Sequence, residues 1–157
     1  MEVMVKERFE AYRTANGQKL PEKILYYRDG IDDGQYSEVR QTEIKAIRTA
    51  WRKLYKKYKG NPEDNQPQIT AVVVTKRHHK RFFPTKEADG AEDSNGNCYP
   101  GTCVESGVVS SWFNDFYLQS HNGIQGTAKP AHYFVLEDGM QLGNALQQIV
   151  STGPLIL

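Results

Sequence analysis

Ile69-Thr70-Ala71-Val72-Val73-Val74-Thr75 runs without a break into Lys76-Arg77-His78-His79-Lys80-Arg81. The first half is β-branched and apolar, with no turn residue, so it reads as a strand covered on both faces. The second half carries Lys76, Arg77, Lys80, Arg81 and two imidazoles, with no acid among them. In an open α/β sheet, ligands bind beyond the carboxyl ends of the strands. A cationic cluster at that end should face an anion, and an extended one if every cation takes part.

Upstream, Ile44, Ile47, Trp51, Leu54, Tyr55 and Tyr58 recur at three- and four-residue spacing. The spacing predicts a helix over 37–59 with one clear core face. Its cations crowd the last turns, where the helix dipole favours them, and Gly60-Asn61-Pro62 ends it. Before the helix, Lys23-Ile24-Leu25-Tyr26-Tyr27 fits a short buried strand that stops at Arg28-Asp29-Gly30. Ile31-Asp32-Asp33-Gly34-Gln35 is then a strand-to-helix turn, with Asp32 or Asp33 available as the cap. Strand, helix, strand in this order predicts a right-handed crossover between parallel neighbours. Asp29 and the cationic cluster then lie at one edge of one sheet. The first 15 residues place Val5, Phe9 and Tyr12 on one helical face, with Asn16-Gly17 as the stop.

Downstream, an acid-rich loop over 86–98 is long enough to suggest a surface lid or insertion. Thr102-Cys103-Val104 reads as a short strand. Asp115–Ser120 alternates and reads as another, as does His132–Leu136, with a polar, glycine-rich hairpin loop over 121–130 between them. A final helix over 141–150 groups Leu142, Ala145, Leu146 and Ile149, and Ser151-Thr152-Gly153-Pro154 halts it.

With 157 residues, one domain is expected. A hydrophobic content of 38%, with nine Tyr, six Phe and two Trp, is enough for a packed core. The net charge of +1 implies no partner by itself, but its distribution is uneven. Arg40, Lys45, Arg48, Arg52 and the cations of 53–59 face only Glu38 and Glu43 in sequence. Glu87, Asp89, Glu92, Asp93 and Glu105 face only Lys86. Charge separated in this way matters more for binding than the total does. The charged N-terminus lacks the apolar centre of a signal peptide, and no apolar run approaches a membrane span. Two cysteines without a secretion signal point to reduced thiols in the cytoplasm or the nucleus.

Several blocks together resemble one family. They are Tyr27-Arg28-Asp29-Gly30 with Gly34-Gln35, the run from Val74 to Phe83, Pro100-Gly101-Thr102, Asp115-Phe116-Tyr117-Leu118, and Ser120-His121-Asn122-Gly123-Ile124-Gln125-Gly126-Thr127. In this order, over roughly residues 20–140, they resemble the PIWI domain of Argonaute proteins. The acid-rich insertion is closer to fungal members than to animal ones. The resemblance implies a mixed α/β, RNase H-like fold that holds a guide small RNA and cleaves a complementary target RNA in RNA silencing. It places Asp29 at one of the Mg²⁺-binding catalytic acids. Lys76, Arg77, His79, Arg81, His121 and Gln125 match positions lining the guide-phosphate channel. Lys129 stands where many relatives carry Arg, which keeps the charge but loses the forked contact.

The same resemblance implies a chain cut at both ends. The family's first catalytic aspartate and its mobile glutamate precede anything present here. Its last catalytic His or Asp should follow the helix over 141–150, where residues 151–157 depart from the pattern. Two-metal hydrolysis needs carboxylates around ions roughly 4 Å apart, so Asp29 alone should leave this chain inactive. Read from the residues only, Asp29 is a turn residue before Gly30, and the cluster from Lys76 to Arg81 a solvated loop. A zinc site drawn from His78, His79, Cys98, Cys103, His121 and His132 competes weakly: the two cysteines share one turn, and adjacent histidines on an extended chain point oppositely. The expected function is RNA backbone binding within a guided endonuclease. Alternatives from other classes are a non-catalytic RNA- or silencing-partner-binding fragment and a truncated product, and exposed sheet edge should make the isolated chain sticky.

Overall fold

The computed structural model describes residues 1–62, 65–85, 93–123 and 126–152. In chain order the elements are α1 (Glu2–Ala15), β1 (Lys23–Asp29), α2 (Tyr36–Val39), α3 (Lys45–Tyr58), β2 (Gln68–Thr75), β3 (Cys103–Val104), β4 (Asp115–Leu118), β5 (Ala131–Asp138) and α4 (Ala145–Thr152). The strands form one sheet in the order β1-β2-β5-β4-β3. Gln68 N–H donates to Glu22 O at the start of β1 and β2, and Gly30 N–H to Val74 O at their end, both at 2.8 Å. The two strands are therefore parallel neighbours, as the crossover reading requires. β3 with β4, and β4 with β5, are antiparallel, Leu118 lying opposite Ala131. The sheet is thus mixed. β2 is fully buried from Ile69 to Val73, because it has a neighbour on each side and apolar residues on both faces.

The chain forms two compact units. The first comprises Met1–Tyr26, Asp32–Ala71 and Leu136–Gln141. Its core gathers Phe9, Leu20, Ile44, Ile47, Trp51, Leu54 and Ile69, with Tyr55 and Tyr58 partly buried against them, so the predicted face of the long helix is the observed one. Trp51 satisfies its indole N–H on Pro21 O at 2.8 Å. Between α2 and α3 the helix passes through a π-helical turn at Arg40–Ile44. Val39 and Ile44, five residues apart, are both buried. A regular helix would place them about 140° apart; the wider turn brings both inward. The end of β5 closes on β2: Gly139 N–H donates to Ile69 O at 2.8 Å, and Thr70 Oγ1 to Asp138 Oδ1 at 2.8 Å. Arg48 pairs with the Glu137 carboxylate through both ends of its guanidinium.

Three expectations change in this unit. Tyr12 is exposed rather than packed with Phe9. The β1 residues included here are at most half-buried, since the strand has one neighbour in the sheet order. The N-cap position is Gln35, after a 3-10 turn at Asp33–Gln35, rather than Asp32 or Asp33. Asp32 contributes its backbone carbonyl to Gln35 N–H instead.

The second unit comprises Tyr27–Ile31, Val72–Val135 and Leu142–Leu157. Phe116 and Tyr133 stack with centroids 5.0 Å apart, and Leu118, Leu146 and Val150 are buried. All four residues of β4 are buried, so the alternation expected over Asp115–Ser120 is absent and the strand stops at Leu118. The last helix starts at Ala145, later than expected, and buries Leu146 and Val150, leaving Ile149 exposed. The halt at Gly153-Pro154 lies outside the described residues.

Candidate nucleic-acid interface

Everything that follows lies in the second unit. Asp29 is the last residue of β1 and is exposed. The next residue, Gly30, is bonded to Val74 O, and a Cβ at Gly30 would stand 3.8 Å from Thr75 Oγ1. The acid therefore sits beside the residues that lead directly into Lys76. Asp29 and the root of the cationic segment share one rim, as the sequence predicted.

Beyond β2, Lys76, Arg77, His79 and Lys80 are exposed and Arg81 is half-buried. Arg77 N–H rests on Thr75 Oγ1 at 3.2 Å, which turns the chain off the sheet. His78 points inward. Its Nε2 meets Pro130 O at 2.9 Å, its Nδ1 accepts from Lys80 N–H at 3.2 Å, and its ring lies edge-on to Tyr117. A carbonyl can only accept, so these partners select the neutral Nε2–H tautomer. Burial holds the His78 pKa below its ordinary value, against the raising effect of the Pro130 carbonyl, and nearby positive charge from His132, Lys129 and Arg81 lowers it further. The His78–Pro130 bond sets this segment against the end of the loop that carries Lys129. The hairpin loop and the cationic segment thus converge.

His121 is exposed, its Nδ1 3.2 Å from Ser120 Oγ, and Lys129 is half-buried. Gln125 lies outside the described residues. Asn97, buried at 2% exposure, holds the loop from beneath. Its Nδ2 donates to Gly126 O at 3.1 Å and its Oδ1 accepts from Ala128 N–H at 2.7 Å. Asp93 Oδ1 accepts the Asn97 and Asn95 N–H groups, and these bonds keep its carboxyl below the usual range. Asn95 Nδ2 reaches Gly123 O at 3.2 Å. Residues 93–97 are therefore a docked brace, a correction to the lid expected over 86–98; residues 86–92 lie outside the description. Sequence reading missed this brace. Asn97 sits in a Ser-Asn-Gly-Asn run that looks like any turn, and only the tertiary partner distinguishes it.

Asp115 and His132 form a second unanticipated pair, Nε2 to Oδ2 at 2.7 Å, with side chains 5% and 15% exposed. The other Asp115 oxygen accepts Ser110 N–H at 2.8 Å. His132 and His78 are thus engaged in packing, and Cys98 and Cys103 are free thiols that burial pushes up. Among the described residues, no group of three His, Cys, Asp or Glu side chains is placed to hold a metal ion. None of the helices described is long and apolar enough to cross a membrane.

A bundle of exposed cations, a neutral inward histidine and a braced polar loop at the ends of adjacent strands can bind phosphates without reading bases. Comparison with known proteins identifies the family. Residues 1–152 match the Piwi domain family. The chain is 44% identical to argonaute 5 of Arabidopsis thaliana over 136 residues, covering 86% of this chain and 13% of that protein. It is 46% identical to argonaute PNH1 of Oryza sativa over the same length, again 86% and 13%. It superposes on the C-terminal lobe of a budding yeast Argonaute with a TM-score of 0.85 at 35% identity, covering 95% of this chain and 31% of that one. Kluyveromyces polysporus Argonaute with a guide RNA gives 0.83 at 34% identity, covering 95% and 18%. The expected RNase H-like α/β architecture stands, and with the match running through nearly every described element, this chain belongs to the Piwi domain family.

Proposed function

We propose that this chain is the RNA-holding part of an Argonaute, gripping backbone phosphates of a guide small RNA and its complementary target RNA. The carrying observation is the convergence of the cationic segment with the braced hairpin loop, shown by the His78–Pro130 contact beside the Gly30–Val74 bond. Lys76, Arg77, Arg81 and Lys129 supply charge. His79 and His121 supply ring N–H donors, and Gln125 a further polar contact. Phosphate neutralisation is independent of sequence, which suits a protein that must accept many guides. The relative solved with a guide RNA supports the reading. The half-buried free thiols suit a reducing compartment, the cytoplasm or the nucleus.

Affinity of the 157-residue chain for single-stranded RNA should fall with salt at a log–log slope of roughly −3. Replacing Lys76, Arg77, Arg81 and Lys129 by Ala should move that slope toward zero. A flat dependence in the unmodified chain would remove the proposal.

Guide-directed cleavage belongs, on this reading, to the longer protein. The donor set here does not fit a Mg²⁺ pair: Asp29 offers one carboxylate, and the described residues bring no companion acids into a metal-holding group. No hydrolytic step is derived from them. With Mg²⁺ and a paired target this chain should release no product; a product that disappears in Asp29→Ala would show that reading wrong. The second reading, a purely RNA- or silencing-partner-binding fragment, is favoured by the same donor set.

A further inference from the structure

The two tryptophans have opposite surroundings: Trp51 is 1% exposed and Trp112 is 90% exposed. Trp112 is not on a slack loop. Ser110 N–H is anchored to the buried Asp115 carboxylate, and Ser110 Oγ accepts the N–H groups of Trp112 and Phe113 at 3.1 and 3.2 Å. Phe113 leans on Phe134, ring centroids 5.3 Å apart, and its neighbour is left facing outward. The turn therefore holds an indole in solvent, where a large apolar ring gains nothing from folding.

The same loop is tied to the cationic segment, since Lys80 Nζ donates to Val108 O and lies over the Tyr117 ring. Lys76, Arg77 and Lys80 are exposed, with no acid between residues 76 and 81. A cationic track tied to a loop that presents an outward aromatic ring on a held backbone is the kind of arrangement that binds single strands: charge follows the backbone and a flat ring receives a base. We propose that Trp112 is a stacking platform for an unpaired base of single-stranded RNA running along residues 76–81. The proposal rests on the phosphate-binding reading and adds to it a contact with the base. The absence of acid along the adjoining segment favours a polyanion over an apolar protein partner.

The test uses the 157-residue chain and a labelled oligouridine of about ten nucleotides. Trp112→Ala should weaken binding about tenfold while leaving the salt slope unchanged, and Trp112→Phe should retain most of the affinity. RNA should quench the indole emission of the unmodified chain but not that of Trp112→Ala, where only the buried Trp51 reports. Unaltered affinity in Trp112→Ala overturns the platform and leaves the phosphate reading standing, whether or not a protein partner is then found to need Trp112. A slope that flattens with Trp112→Ala, or a Phe variant as weak as the Ala variant, also overturns it. No binding by the unmodified chain overturns both.

Discussion

His78 and His79 are neighbours with opposite fates, one bonded at both ring nitrogens and one exposed. Their types and spacing predicted the opposition, but not which of the two would turn inward. That choice depends on Pro130, 52 residues away. The lowered His78 pKa has a signed consequence. Unfolding frees the ring to take a proton near pH 6.5, while the folded ring resists it. The stability contributed by His78 is therefore present above about pH 6.5 and is lost as pH falls toward the folded value. The stability difference between the unmodified chain and His78→Gln, from denaturant midpoints, should shrink below pH 6.5; a difference flat in pH would contradict this. Asp29, exposed at a strand end, should tolerate Ala with a stability change within about 0.5 kcal/mol.

Among the elements, those with strong periodicity were readable and those shaped by tertiary partners were not. The face of α3 follows from Ile47, Trp51 and Leu54 at helical spacing. The π-helical turn before it has no such signature, because it adds one residue without changing the composition. In α4, Leu142, Ala145, Leu146 and Ile149 also fit a helical stripe, yet the buried pair is Leu146 and Val150, because the helix starts later than the stripe suggests. Two elements are open to direct test. Asn97→Ala strips the loop over 121–129 of its brace and should cost roughly 1–3 kcal/mol, with faster hydrogen exchange at Ala128 N–H; protection equal to the unmodified chain would refute the brace. Gly139→Ala would push a Cβ to 2.6 Å from Ile69 O, a backbone atom that cannot swing aside. A loss of about 1–3 kcal/mol is expected from thermal or denaturant melts.

Across the whole molecule, the sheet class and the shared rim of Asp29 and the cations were legible, because strand, helix and strand in succession leave little topological choice. The strand order beyond β2 was not, since β5 reaches β2's other side from more than fifty residues downstream and no local signal announces it. β1 stands at one end of that order with half-buried side chains, and such an edge invites pairing with another chain. The isolated chain should show a sedimentation coefficient that rises with concentration; a constant value would show the edge to be blunted. The first unit has a further property set by its discontinuity. Its final piece, Leu136–Gln141, carries Glu137, Asp138 and Gly139, whose partners Arg48, Thr70 and Ile69 leave the ribosome far earlier. A nascent chain halted before Leu136 therefore holds most of an assembled hydrophobic cluster with one flank of its central strand unsealed. Closing it means drawing together segments separated by a long tether, a slow event for topologies of this kind, and until then the growing polypeptide is a natural client for chaperones.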